Sequence, residues 1–129
     1  MKTAHIAPPN SLLLIMDRSV GQIPESMGAS LVAATSTCIA IGTLSEHDGT
    51  TQVTLDGNPE PTPHGPPVFD GLLETPSREL TVNTVLDEVV LRVALSTQQT
   101  RVLIWANDGA EPSEIRIVVA AAGGSANAS

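Results

Sequence analysis

The chain has 129 residues, the length of one domain, and a domain of that size buries about two-thirds of its unfolded surface without a disulfide or a metal. Its net charge of −8, from 14 acidic and 6 basic residues, sets it against nucleic-acid backbones and anionic membrane surfaces, and no Lys/Arg cluster makes a local exception. One Phe, one Trp and no Tyr exclude the stacked aromatic platforms of sugar and single-strand binders, and leave the core to Leu, Ile and Val.

In chain order, "SLLLIM" (11–16) reads as a first strand. Its apolar run is too short for a secretory h-region, no small-residue cleavage motif follows, and no stretch reaches the length of a membrane span, so a cytoplasmic protein is expected. "IPESMGASLVAAT" (23–35) predicts a short helix: Pro24 suits a first helical turn, and Met27, Leu31 and Ala34 follow at helical spacing. "TCIAIGTLSEHDGTTQVTL" (37–55) reads as a hairpin turning at His47-Asp48-Gly49, where Asp-Gly supplies positive φ. Residues 57–68 carry prolines at 59, 61, 63, 66 and 67 and can be neither helix nor central strand, which leaves a partly polyproline surface loop.

Beyond that loop the apolar residues alternate with period two, the mark of half-buried strands. "FDGLLET" (69–75) is closed by Pro76. "LTVNTV" (80–85) puts Leu80 and Val82 on one side, with Thr81 and Asn83 on the other. "DEVVLRVALS" (87–96) groups Val89, Leu91, Val93 and Leu95 against Glu88, Val90, Arg92 and Ala94. "TRVLIWAN" (100–107) groups Val102, Ile104 and Ala106 against Arg101, Leu103 and Trp105, and "SEIRIVVA" (113–120) sets Ile115, Ile117 and Val119 against Glu114, Arg116 and Val118. About eight short strands and at most one short helix define an all-β antiparallel sandwich or jelly-roll. Residues 1–120 are expected to form the domain and 121–129, small and polar, a disordered tail.

Oxygen ligands crowd the stretch around Asn107, Asp108, Glu111 and Glu114. Setting Gly109 at the sixth place of a calcium loop puts Asp108 fifth, but Ile104, Ala106 and Ile115 then fill the first, third and twelfth places. Anchoring on Gly49 fails likewise, with Leu44 first and Leu55 last. Asn107, Asp108 and Gly109 are instead turn formers between two strands, with Glu114 opening the second on its solvent side. His5, His47 and His64 lie in three separate segments, which argues against a zinc site. Gly28-Ala29-Ser30-Leu31-Val32 lacks the second glycine of a nucleophile elbow. Cys38, in an apolar run, reads as a small buried hydrophobe. No metal or cofactor is expected. For acid–base chemistry there remain the carboxylate pairs Glu46/Asp48, Asp70/Glu74 and Asp87/Glu88.

Three segments carry a resemblance. "LLLIMD" followed by "PESMGASLVA" looks like a first strand, a polar turn and a short helix; "CIAIGTLSEHDGTTQVTL" looks like a central hairpin; "TRVLIWANDGAEPSEIRIVV" looks like a closing hairpin with a Trp and a polar loop. This layout resembles the competence nuclease inhibitor (ComJ-like) family, found with a DNA-entry nuclease. The resemblance implies a β-sandwich that is a non-catalytic, acidic binder of a basic enzyme, in agreement with the charge of −8. No diagnostic motif accompanies it, so it transfers no functional residue.

Three readings stay open at this point. In the leading one, the chain is a non-enzymatic acidic protein-binding module of the nuclease-inhibitor or immunity type. Its contact surface for a basic protein partner is a rim of Glu46, Asp48, Asp108, Glu111 and Glu114, provided strand pairing gathers their loops at one end. In the second it is a small β-sandwich enzyme or ligand-binding protein using Asp70/Glu74 or Glu46/Asp48. In the third it is a homo-oligomer subunit, with Val90, Leu103, Trp105 and Val118 as a second apolar face. A cleft lined by two carboxylates would separate the second reading from the first.

Overall fold

Alternating apolar residues generate ten strands among residues 2–24, 30–57 and 66–121, the parts of the chain that the computed structural model describes. One five-stranded sheet, sheet A, runs in the order β1 (Lys2–Ile6), β5 (Thr51–Asp56), β10 (Glu114–Ala121), β9 (Gln99–Ala106), β6 (Phe69–Glu74). The other, sheet B, runs β3 (Val32–Ala34), β4 (Cys38–Gly42), β2 (Leu12–Met16), β7 (Glu79–Thr84), β8 (Val89–Ala94). Neighbours are antiparallel except β5 and β10, which pair in parallel from Glu114↔Gln52 to Val118↔Asp56. Among the described residues, no helix is long and apolar enough to cross a membrane.

Period-two patterning turns one side of each sheet inward. Val53, Leu55, Val102, Ile104, Ile115, Ile117 and Val119 of sheet A meet Leu13, Ile15, Ile39, Ile41, Leu80 and Val82 of sheet B in one cluster, each no more than 3% exposed. Burying such a side chain contributes about 1.5–3 kcal/mol, so aliphatic packing carries the core without aromatic help.

The second side of sheet B is also buried. Leu14, Met16, Cys38 and Ala40 form a smaller apolar cluster there, beside the buried Thr81 and Asn83. The chain leaving β2 folds back toward this side. Gly21 lies so close to the Met16 side chain that a Cβ would collide with its sulfur. The Gln22 N–H donates to Thr37 Oγ1 at 2.9 Å, and Thr35 Oγ1 donates to the Gln22 carbonyl at 2.7 Å. Asp17 fixes the start of this connection. Its Oδ1 accepts the Ser19 N–H at 2.9 Å and the Ser19 hydroxyl at 2.7 Å, and its Oδ2 accepts the Ser77 N–H at 2.7 Å.

The structure corrects several expectations. There are ten strands rather than about eight. Lys2–Ile6, not among the expected strands, is an edge strand on β5. The stretch 37–55 is not a hairpin: β4 belongs to sheet B and β5 to sheet A, and the turn between them crosses from one sheet to the other. Gly49 in that turn has φ +141°, so the demand for glycine there stands. The helix expected over 23–35 gives way at its far end to β3, where Ala34 is exposed in a strand; residues 25–29 lie outside the described residues. A bulge between Val82 and Asn83 pairs Asn83 with Val89, which transfers Val89 from the expected Leu91/Val93 side to the opposite one. Most of the proline-rich 57–68 stretch and the tail from 122 onward also lie outside the described residues.

Candidate functional site

Polar loops interlock at one end of the sandwich. The β4–β5 and β9–β10 connections meet where the Leu44 N–H donates to the Pro112 carbonyl at 2.9 Å and the Gln52 N–H donates to the Ser113 carbonyl at 2.8 Å. Pro112 is buried in this junction, and its carbonyl also accepts the Thr51 hydroxyl at 3.4 Å. Glu46 Oε1 accepts the Asn10 N–H at 3.4 Å, which draws in the 3₁₀ turn Pro9–Ser11. The parallel pairing of β5 with β10 is what places these two loops side by side.

The β9–β10 loop is shaped by its own side chains, as its turn formers predicted. Asn107 Oδ1 accepts the N–H groups of Ser113 at 3.0 Å and Glu114 at 3.1 Å, closing the loop at its neck. Asp108 Oδ2 accepts the N–H groups of Glu111 at 2.7 Å and Ala110 at 2.9 Å. Those two backbone donors, Glu111 first, hold the Asp108 carboxyl below the ordinary carboxylate range. Asp108 is thus a fixed anion at the tip of the loop.

All five rim residues, Glu46, Asp48, Asp108, Glu111 and Glu114, are exposed at this end. Among the described residues none of them has a basic partner. Four of the five arginines pair with carboxylates elsewhere: Arg18 with Asp87 (2.8 Å), Arg92 with Glu79 (3.9 Å), Arg101 with Asp70 (2.7 Å) and Arg116 with Asp56 (3.6 Å); the fifth, Arg78, is exposed in the β6–β7 turn. Lys2 donates to the Arg92 carbonyl, and strand register sets Lys2 opposite Leu55, toward the other end of the sheet. Among the described residues, five unpaired carboxylates therefore gather at the rim, whereas elsewhere four are paired and Glu74 and Glu88 stand singly at strand ends.

A groove of about 490 Å³ opens beside the rim on the outward side of sheet A. Register builds it in rows. His5, Gln52 and Glu114 share one row; Thr3, Thr54, Arg116 and Trp105 share the next. Glu114 and Asn107 stand at the rim end, Gln52 and Thr54 on one flank, Trp105 and Arg116 on the other. The indole is only 8% exposed, so little more than its edge reaches the groove. The Arg116 Nε–H is buried without an acceptor, a loss of about 1–3 kcal/mol for an unpaired donor.

The carboxylate pairs are not assembled into such a cleft. Asp70 is held by Arg101 through two bonds of 2.9 and 2.7 Å, which keep its carboxyl below the usual range. Glu74 is four residues along the same strand, about 13 Å away at strand rise. Glu46 and Asp48 stand on an exposed loop, and Asp87 is tied to Arg18. The groove holds one carboxylate, Glu114. Cys38 is fully buried, and burial pushes its thiol up to about 11, so it offers no nucleophile at neutral pH. The proposed second apolar face forms only in part: Leu103, Trp105 and Val118 lie together on sheet A, whereas Val90 is on sheet B. Sequence reasoning missed Gln52, Thr54 and Arg116 as groove residues. Their alternation with Val53, Leu55, Ile115 and Ile117 marked them as outward-facing, but only the β5–β10 register makes them neighbours.

Two five-stranded sheets enclosing an aliphatic core, with polar loops gathered at one end, define a small all-β sandwich. No protein-family model matches the sequence, and no curated protein matches it. Among solved structures the fold is similar to that of ComJ from Bacillus subtilis, the inhibitor of the DNA-degrading activity of NucA. The TM-score is 0.66 over 94% of this chain and 96% of that chain, at 8% sequence identity. The resemblance read from the sequence is thus matched at the level of fold.

Proposed function

We propose that this protein is a non-enzymatic, acidic binding module of the inhibitor type, which docks a basic protein through the rim formed by Glu46, Asp48, Asp108, Glu111 and Glu114. The observation that carries the reading is the distribution of charge: the rim carboxylates have no ion-pair partner among the described residues, while four arginines neutralise carboxylates elsewhere. A concentrated negative rim speeds encounter with a cationic partner, and the attraction fades beyond a Debye length of about 8 Å at physiological salt. The fold shared with ComJ supports an inhibitor and suggests a nuclease as the partner class; the charge of the rim calls for a basic one. We place the protein in the cytoplasm, where a single buried thiol is at home.

The test compares the wild type with Asp108→Asn/Glu111→Gln/Glu114→Gln. Both are immobilised and offered a set of cationic proteins, non-specific endonucleases among them, across a range of salt. Association should fall steeply with salt for the wild type, and the triple variant should associate more slowly with little change in dissociation. All three side chains are exposed, and an amide oxygen at position 108 can still accept the Ala110 and Glu111 N–H groups, so the variant should lose no more than about 1 kcal/mol of stability. Capture of the same proteins at the same rate by both, at every salt concentration, would reduce the rim to a solubility device.

A further inference from the structure

The rim explains attraction but not anchoring, because exposed carboxylates in water hold a partner weakly. The groove beside it supplies what the rim lacks. It is concave, its volume of about 490 Å³ falls in the range of ligand sites, and it shares Glu114 with the rim. We infer that the groove seats a lysine or arginine side chain from a protruding segment of the basic partner, with Glu114 as its counter-ion. The inference deepens the proposed function and rests on it.

Charge complementarity selects this occupant. The only basic group lining the groove, Arg116, is turned toward Asp56 at 3.6 Å. Glu114 has no such partner, and Asp108 and Glu111 stand in the same loop just beyond the groove's end. A cation entering from the rim therefore passes Asp108 and Glu111 and meets Glu114 as the first charge of the groove itself. Its aliphatic stem then runs along the Thr54 methyl group and the edge of Trp105, while the Gln52 amide offers a carbonyl to its N–H groups. Glu114 is the part of the site best suited to fixing a side chain, because its backbone N–H is clamped by Asn107 at 3.1 Å at the first residue of a strand. The anchor prolongs residence while the rim accelerates arrival, the division of roles that central and peripheral interface residues usually show.

The probe is N-acetyl-arginine-N-methylamide, with the neutral N-acetyl-glutamine-N-methylamide as control, titrated at millimolar concentration into the labelled full chain and followed by NMR. The arginine compound should shift the Trp105 indole N–H, the Gln52 side-chain amide and the backbone amides of Thr54 and Glu114 together and saturably; the control should not. Glu114→Gln, nearly isosteric, should weaken the effect about tenfold, and Thr54→Arg, which fills the groove with a tethered cation, should abolish it. Asp108→Asn/Glu111→Gln should weaken it less than Glu114→Gln does, since those charges lie outside the groove. Shifts spread evenly over surface carboxylates such as Glu74 and Glu88, or undiminished in both groove variants, would overturn the inference. If salt-dependent association of a cationic protein nevertheless persists and fails in the rim variant, the groove proposal falls alone; if that association is also absent, the proposed function falls with it.

Discussion

Replacing Asp17 by Asn should destabilise the protein by roughly 2–3 kcal/mol, because this buried carboxylate holds the end of β2 to the β6–β7 turn, 60 residues away. The carboxylate accepts three bonds of 2.7 to 2.9 Å with its two oxygens. An amide keeps one acceptor oxygen and turns an NH₂ group on the remaining donor. If that donor is the Ser77 N–H, one charge-assisted bond is lost, at about 1.5–3 kcal/mol, and the two from Ser19 weaken to neutral ones. For a chain of this size each kcal/mol lowers the melting temperature by about 3–5 °C, so a fall of about 6–15 °C at pH 7 is expected. The pH dependence provides a second check. Burial by itself would raise the Asp17 carboxyl, but the bonds from Ser19 and Ser77 outweigh it and hold the group below its ordinary value. A carboxyl held low stabilises the fold above its unfolded value of about 3.9 and loses that contribution as pH falls through the folded value. The gap between wild type and Asp17→Asn should therefore be constant above about pH 5 and should narrow below about pH 4. Calorimetric melts of both proteins from pH 7 to pH 2.5 measure it. A variant that melts within 2 °C of the wild type at pH 7, by the same per-kcal conversion of about 3–5 °C, would refute the reasoning.

Two further outcomes follow from the same geometry. Gly49→Val should cost about 1–3 kcal/mol in chemical denaturation, since φ is +141° and the nearest side-chain atom, Leu44 Cδ2, would stand at an ordinary 3.5 Å from a Cβ, so the penalty is backbone strain rather than collision. Trp105 reports directly on the groove: at 8% exposure its emission should be blue-shifted and poorly quenched by iodide in the native state, and free quenching would place the ring elsewhere.

What the sequence could say depended on whether a feature was local. The β9–β10 hairpin was legible because its alternation and its Asn-Asp-Gly turn sit in one continuous stretch. The inward sides of β7 and β9 were legible for the same reason, since period two decides which residues share a side. Period two does not say which sheet a strand joins, and so 37–55 looked like a hairpin although its halves separate into different sheets. Lys2–Ile6 escaped because an edge strand with exposed Lys2, Thr3 and His5 carries little apolar signal. Alternation set Thr81 and Asn83 opposite the core side of β7 but did not say that their own side is buried too, because the connection after β2 that folds back toward that side is distant in the chain. The rim residues could be named one by one, but their meeting at one end depends on Gln52 lying beside Glu114, a pairing between strands 62 positions apart in the chain. The groove needed the same pairing and left no local mark.

That pairing also governs when the protein can be finished. β10 lies at the centre of sheet A, between β5 and β9, yet among the described residues it comes last of the ten strands. Until it is in place, β5 has only β1 beside it, and β9 has only β6. Two half-sheets then present unpaired backbone edges around a missing strand, in a state open to pairing with other chains. The last strand joins them by inserting rather than by adding to an outside edge, which requires long-range closure and slows folding. Sheet A is therefore whole only once β10 is in place, and the neighbouring strands of the groove and the rim take up their positions at that same closing step.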